Sequence, residues 1–297
     1  VTAAADGEGA ITLNNTASLG SDVVFSGAIG TSSAALSSLV VTTGAAEFDG
    51  NVFIDTITAA AGHTLNFDGD VTANTALTLN NSTTTFAGDV TAGTLFNFAA
   101  AGTMTFDGTA AQTITGDLTT NANGSGVINV TNTAGLVTFA DKIGVTGTGT
   151  GTMTLSASTS TLFADTVDVG DLSLAGTSEF RGAVTIDSAG TGAGGLAIAT
   201  GSVITLGTGF ASGATVITAD GALTDAGTVT INMPTDLAGG DTLVVINAAS
   251  GTSAATYTAT STGLFTYTVD NNTTTDDITV TVVARSAADT ATTLGIS

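Results

Sequence analysis

Residues 64–93 read TLNFDGDVTANTALTLNNSTTTFAGDVTAG, and this stretch contains the same phrase twice. Phe67 is followed by Asp-Gly-Asp-Val-Thr-Ala, and Phe86, 19 residues later, is followed by Ala-Gly-Asp-Val-Thr-Ala. Around each phrase, apolar and polar residues alternate with a period of two, which is typical of strands with one buried face. Each unit therefore predicts a strand, a corner at the glycine, and a second strand.

The phrase recurs along the first two thirds of the chain, and its phenylalanines are Phe25, Phe48, Phe67, Phe86, Phe106, Phe139, Phe163 and Phe180. A repeat of short strands cannot bury its own apolar face, but stacked repeats bury it together. The sequence thus predicts an all-β chain, a right-handed parallel β-helix or β-solenoid with roughly 20-residue coils. The eight phenylalanines are predicted to form a core ladder at the ~4.8 Å strand spacing, in a rod on the order of 60–70 Å long.

One interval between phenylalanines is much longer than the others. Phe106 and Phe139 are separated by 33 residues. This interval predicts either a coil without the phrase or a protruding loop. The alternating segments 113–115 and 127–130 favour the additional coil.

The pattern changes near residue 220, where the phrase stops and longer alternating runs begin. Residues 1–219 are therefore predicted to be the solenoid repeats, and residues 220–285 a C-terminal cap. We expect the runs at 228–233, 242–246, 263–269 and 277–283 to pair as antiparallel strands, because a solenoid needs atypical units at its ends. Residues 286–297 are predicted to be a tail.

The charge composition excludes several classes of protein. The chain has 25 acidic and 3 basic residues, for a net charge of −22, and 42% of its residues are hydrophobic. It has no basic patch for nucleic acid, and no apolar run of the ~18 residues that a membrane-spanning helix needs. The start VTAAADGEGA lacks the features of a signal peptide, so we expect a leader to be absent or removed. With no cysteine, thiolate metal sites and disulfides are excluded.

Catalytic motifs are sparse. His63 is the one histidine, and no Gly-x-Ser-x-Gly motif accompanies it. A catalytic pair of carboxylates in a groove is not excluded by the sequence, because any two aspartates one coil apart would be neighbours. We nevertheless predict no catalytic residue, no cofactor-binding residue and no enzymatic activity.

The acidic residues of the phrase form two repeated sets. Asp49, Asp68 and Asp107 occupy one position of the phrase, and Asp70 and Asp89 occupy another. Stacked coils would place these like charges near one another, where they must be solvated or bridged by a hard cation. The five aspartates are therefore candidate Ca²⁺ ligands, and a solvated acidic corner is the alternative. No other cofactor is predicted.

The phrases at 65–73 and 85–92 resemble the repeats of bacterial autotransporter passenger domains. The order GDTLVVINAASG, GLFTYTVDNN and DDITVTVVARSAADTATTLGIS, within residues 220–297, is similar to the end of such a passenger. The resemblance implies export to the bacterial cell surface or the extracellular space. It also implies a passenger processed away from its outer-membrane barrel, with residues 286–297 leading toward the barrel linker. Passengers include adhesins, proteases and structural polymers, so no single activity is implied.

From these features we expect a non-enzymatic structural protein that binds copies of itself, plausibly head to tail, in a filament, sheath or matrix layer. Open solenoid ends expose unpaired strand edges, which favours such pairing. The alternative is a monomeric adhesin that binds a surface glycan or protein through its longer loops. Neither nucleic acid nor insertion of this chain into a membrane is expected.

Overall fold

The computed structural model describes residues 1–15, 23–120, 126–144, 154–187, 194–251, 253–261, 264–272, 277–293 and 295. These residues form 29 β-strands and one short helix. In chain order the elements are β1 Ala10–Asn14, β2 Val23–Phe25, β3 Leu36–Thr43, β4 Ala45–Phe48, β5 Val52–Ala59, β6 Thr64–Phe67, β7 Val71–Asn80, β8 Thr83–Phe86, β9 Val90–Ala92, β10 Leu95–Ala100, β11 Thr103–Phe106, β12 Gln112–Thr115, β13 Leu118–Thr120, β14 Val127–Val130, β15 Val137–Phe139, β16 Thr154–Ala157, β17 Thr161–Phe163, β18 Val167–Val169, β19 Asp171–Leu174, β20 Thr177–Phe180, β21 Val184–Ile186, β22 Leu196–Ile198, β23 Val203–Leu206, β24 Thr215–Asp225, β25 Thr228–Asn232, β26 Thr242–Gly251, β27 Thr256–Ala259, β28 Phe265–Asn272, β29 Asp277–Ala284 and α1 Ala287–Thr293.

The strands build two long sheets, in which each strand pairs with strands of the neighbouring coils. A 14-stranded sheet follows the order β1-β3-β5-β7-β9-β12-β15-β17-β20-β23-β25-β27, with β10 and β13 joined to it through β7. A 15-stranded sheet follows β2-β4-β6-β8-β11-β14-β16-β19-β22-β24-β26-β29-β28, with β18 and β21 joined through β24. Every pair is parallel except β26 with β29 and β28 with β29. The predicted parallel β-solenoid is therefore confirmed.

A coil consists of three successive strand segments, as in β8, β9 and β10. The corner between the first two is the glycine of the phrase, and the glycines of successive coils lie directly above one another. A Cβ added to Gly88 would lie 2.7 Å from the backbone of Gly69. Glycine is required at this corner because the backbones of adjacent coils approach too closely for a side chain.

The phenylalanine rings form two ladders. Phe25, Phe48, Phe67, Phe86 and Phe106 share one column of the 15-stranded sheet, and their centroids are stacked 4.7–5.7 Å apart. Phe139, Phe163 and Phe180 share a column of the other sheet and are stacked at 5.6 and 5.1 Å. Phe106 and Phe139 meet edge to face, with their centroids 5.5 Å apart and their planes at 87°.

The change of ladder follows from a longer corner after Phe106. Val90 lies four residues after Phe86, whereas its partner in the next coil, Ile114, lies eight residues after Phe106. Phe139 then pairs with Ile114 rather than with Phe106. The long interval between these phenylalanines contains β12, β13 and β14, which pair in parallel with the coils on either side.

Parallel stacking continues beyond residue 220. β24 pairs in parallel with β26, and β25 with β27, so two coils without the phrase extend the rod. Val203 aligns with Thr230, and Thr228 with Thr256, so these coils are 27 and 28 residues long. The antiparallel pairing expected for the run at 228–233 is therefore wrong, because β25 keeps the parallel register of the coils on both sides. Antiparallel pairing is confined to β29 with β26 and with β28, and β29 covers the free edge of β26.

The last described residues form the short helix α1, which buries none of its side chains. Residues 294, 296 and 297 of the predicted tail lie outside the described residues. Among the residues that the structure describes, no helix has the length and hydropathy needed to cross a membrane.

We expect the first ladder to dominate the stability of the N-terminal half. Phe67 is fully buried and stacked on both faces, so Phe67→Ala should reduce the free energy of unfolding by about 3–5 kcal/mol. Phe25→Ala should cost less, because Phe25 is partly buried and, among the described residues, its ring stacks on Phe48 alone. Urea unfolding followed by circular dichroism measures both variants. If the two variants lost the same free energy of unfolding, the stacking of Phe67 on two rings would not account for its contribution.

Candidate functional site

The densest acidic cluster lies on the outer surface at the phenylalanine corner. Carboxylate oxygens of Glu47, Asp49 and Asp68 all lie within 4.8 Å of one another. Glu47 faces outward from β4 two residues before Asp49, and Asp68 belongs to the next coil. Asn66 Nδ2 donates a 2.9 Å hydrogen bond to Asp68 Oδ1. The cluster therefore gathers three anionic oxygen donors, the ligand type that Ca²⁺ prefers.

Glu47 is a residue that the sequence analysis missed. Glutamate precedes the phenylalanine of the phrase at Glu47 and Glu179 only, and the coils that follow Glu47 carry Asn66 and Thr85 there, so this position shows no repeated acid. The signal was nevertheless present, because residues two apart around a strand end can lie on the same side. A comparison of neighbours within a coil, as well as between coils, would have found it.

Asp107 lies in the same column as Asp49 and Asp68 but is separated from Asp68 by the coil that carries Ala87. Partial burial raises the pKa of Asp107, and the negative charge of Asp68 raises it further, while a backbone hydrogen bond lowers it. The Asp107 side chain is exposed to solvent, so its ionised form is disfavoured by partial desolvation and by a like charge two coils away, without being buried.

Asp70 and Asp89 have a different role from that of the outer cluster. Asp70 Oδ1 accepts a 3.0 Å hydrogen bond from the backbone N–H of Asp89, and Asp89 Oδ1 accepts one of 2.7 Å from the N–H of Thr113. One coil earlier, Asn51 Oδ1 accepts from the N–H of Asp70 at 3.1 Å. Each of these side chains thus accepts a hydrogen bond from the backbone of the next coil. These two aspartates tie coils together at the corner and lie in a different column from the outer cluster.

His63 lies where no substrate in solution can reach it. Its side chain is 3% exposed, and neither ring nitrogen has a hydrogen-bond partner. A catalytic histidine requires a nucleophile and an orienting acid within hydrogen-bond distance. This arrangement is absent around His63 in the described part of the chain.

A buried carboxylate organises the C-terminal coils. Asp225 is 7% exposed and accepts hydrogen bonds from Ser253 Oγ, the N–H groups of Ala254 and Ala255, and the Tyr257 hydroxyl, at 2.6–3.0 Å. Burial raises the pKa of Tyr257, and its hydrogen bond to Asp225 raises it further. Four donors satisfy this carboxylate, so it fixes the loop before β27 and offers no free oxygen lone pair on the surface.

The described residues contain one salt bridge, in which Arg181 Nε donates to Glu179 Oε1 at 2.7 Å. The Arg181 side chain is 52% exposed, so the pair contributes little to stability.

No family model matches the chain, and no curated protein matches it either. The geometry of the acidic corners, the buried polar groups and the surface therefore carries the functional argument.

Asp107 gives a pH-dependent prediction. Its pKa is raised above the ordinary value of 3.8, so ionisation costs more in the folded state than in the unfolded state, and stability falls as pH rises through this range. Asp107→Asn should therefore raise the melting temperature at pH 7, and the gain should disappear at about pH 3. Thermal unfolding followed by circular dichroism at both pH values measures this.

The matched control is Glu8→Gln, which removes one negative charge from an exposed position near the N-terminus. An equal, pH-dependent gain from this variant would show that the effect reflects net charge and not the environment of Asp107.

Proposed function

We propose that this chain is a non-enzymatic structural protein of the bacterial cell surface, whose rods join end to end into an extracellular filament, sheath or matrix layer. The observation that carries the proposal is the location of exposed apolar side chains. Five large hydrophobic residues are exposed in the described part of the chain: Val1, Val24, Leu136, Leu264 and Val283. Four of these five lie at the two ends of the rod.

In the first described coil, strand edges and core residues are not covered by any described strand. β1 pairs with β3 alone and β2 with β4 alone, so each has an outer edge that no described strand covers. Ile11, Leu13 and Phe25 pack against the core but stay partly exposed, whereas Phe48 in the next coil is fully buried. A row of free backbone groups beside half-covered apolar side chains is a template for pairing with another chain.

The C-terminal end has the same properties. β28 is the last strand of its sheet, and among the described strands it pairs with β29 alone. Phe265, Tyr267 and Val269 on this strand are partly buried, and Leu264 just before it is 58% exposed. β28 contains no lysine, arginine or proline, the residues that commonly protect an exposed edge.

The two ends differ, so their contact is heterologous. A contact between unlike surfaces that does not close into a ring repeats indefinitely and produces a filament. The chain has a net charge of −22, and most of its acidic residues lie on the sides of the rod. Rods that lie side by side therefore repel each other, which favours contact end to end.

We also propose Ca²⁺ as a counter-ion bound at Glu47, Asp49 and Asp68. The support is the convergence of three carboxylates within 4.8 Å, at a surface that solvent reaches. A divalent cation there would lower the repulsion within a rod and between rods.

The proposed address and origin rest on composition and on the resemblance to autotransporter passengers. An acidic, cysteine-free chain with a repetitive solenoid is compatible with an exported surface protein. Activity as an enzyme is disfavoured by the burial of His63 and the full hydrogen bonding of Asp225.

Assembly can be tested by negative-stain electron microscopy and analytical ultracentrifugation. Val24→Asp and Leu264→Asp change exposed residues at opposite ends, so each variant should fold but fail to form the filaments of the parent chain. Thr105→Asp adds the same charge to the outer face of β11, in the middle of the rod, and should still assemble. Isolated rods from the parent chain under all conditions would contradict the proposal and favour a monomeric adhesin.

Calcium binding can be tested separately by thermal unfolding. Ca²⁺ at about 1 mM should raise the melting temperature of the parent chain, and a chelator should reverse the rise. The double variant Glu47→Gln/Asp68→Asn should lose the response, whereas Glu8→Gln should keep it. A melting temperature that is the same with calcium and with chelator would refute the calcium site but not end-to-end assembly.

A further inference from the structure

A groove of about 740 Å³ runs across four coils on the side of the rod. It follows from the different lengths of four stacked corners. The corner between β14 and β15 has six residues, 131–136, and the corner between β22 and β23 has four, 199–202. The two corners between them are shorter, with three residues, 158–160, and two residues, 175–176. The outer two corners therefore form walls, and the inner two form the floor.

The taller wall is held rigidly by a buried side chain. Asn132 is 1% exposed, and its Nδ2 donates to Gln112 Oε1 at 2.8 Å and to the carbonyl of Ala110 at 2.6 Å. Its Oδ1 accepts from the N–H groups of Ala134 and Gly135. The groove is thus a fixed feature of the fold, and a ligand would not have to order this wall.

The lining of the groove differs chemically from the rest of the surface. None of the described residues that line it is charged, although the chain carries 25 acidic residues. Thr133, Ser160 and Thr177 supply hydroxyl groups, and Leu136, which is 43% exposed, supplies an apolar patch. In the floor, Thr159 Oγ1 is buried without a hydrogen-bond partner.

These features fit a ligand with hydroxyl groups and apolar ring faces. Hydroxyls both donate and accept hydrogen bonds, so they can pair with the hydroxyls of a sugar in either direction. Leu136 can pack against the C–H face of a sugar ring. An anionic glycan would be repelled by the net charge of −22, so the complementary ligand is neutral.

The groove does not suit an extended peptide. A peptide that adds to a sheet needs a free strand edge. The strands beside the floor, β15, β17, β20 and β23, are each paired on both edges with strands of neighbouring coils. A ligand in this groove must therefore contact the side chains and the backbone groups of the corner residues.

We propose that this groove is a binding site for a neutral oligosaccharide. The site lies on the side of the rod, so it does not depend on end-to-end assembly. A filament would display one copy of the groove per chain.

The proposal can be tested by NMR with protein labelled at leucine methyl groups. Cellohexaose, maltohexaose and chitohexaose are titrated one at a time into the full 297-residue chain. At least one should cause saturable shifts of the Leu136 methyl groups. Thr177→Trp places a bulky side chain in the groove at an exposed position and should weaken binding at least about 10-fold.

The matched control is Thr83→Trp. Thr83 and Thr177 are both exposed first residues of their strands, β8 and β20, but Thr83 lies outside the groove. This variant should bind the sugar as the parent does. Three sugars without effect on Leu136, or equal binding by the two variants, would overturn the proposal, as would displacement of the sugar by an uncharged glycine-serine peptide.

Discussion

The structure depends on one constraint, which is the parallel hydrogen-bonded register between successive coils. Within the rod, most strand residues have a counterpart in the coil below and in the coil above, so the chain is a set of columns. A residue that suits its column is repeated to advantage, as Phe48, Phe67 and Phe86 are, because each ring stacks on two others. An unfavourable contact at one position, such as repulsion between like charges, is repeated wherever successive coils carry the same residue. The columns therefore limit where acids, glycines and polar groups can occur.

The sequence alone predicted the fold class, since the repeated phrase and the alternation around it specify stacked coils. It did not predict how one phenylalanine ladder becomes two. Phe139 occurs in the same phrase as Phe86, but the phrase has moved relative to the corner, because Ile114 lies four residues later than the earlier coils require. The extra residues are accommodated by Gln112 and Asn132, whose amides bind each other and the backbone inside the corner. A single sequence shows the insertion but not the buried hydrogen bonds that absorb it. The antiparallel pairing expected for the run at 228–233 was wrong for a related reason, since this run continues the parallel stack. The coils after residue 220 keep their register while losing the phrase, and the phrase was the only marker of a coil.

The acidic residues show how the same constraint handles charge. In the column of Asp70 and Asp89, each carboxylate accepts a backbone N–H from the next coil, so like charges are repeated at low cost. In the column of Asp49 and Asp68, the carboxylates face solvent and converge with Glu47. Both sets look alike in the sequence, since both are aspartates at fixed positions of one phrase. Their difference arises from which side of the glycine corner they occupy, and this depends on coordinates that spacing alone does not supply.

Departures from column repetition are also where the surface becomes suitable for binding. Within the rod, each apolar side chain is covered by its neighbours above and below. In the first and last described strands, Val24 and Leu264 are exposed, and no described coil covers them. At the groove, a six-residue corner lies above a three-residue corner, and Leu136 at the end of the longer corner is exposed too. At the C-terminal coils the column of Phe106 ends in Asp225, and this buried charge is satisfied by loop residues that close over it. Where a column ends in a polar group, as at Asp225, hydrogen-bonded loop residues cover it. Where it ends in an apolar side chain, as at Leu136 or Leu264, that side chain stays exposed to solvent. The interaction surfaces that we propose therefore lie where column repetition is interrupted, at the ends and at the corner steps, and the repetitive faces serve as scaffold.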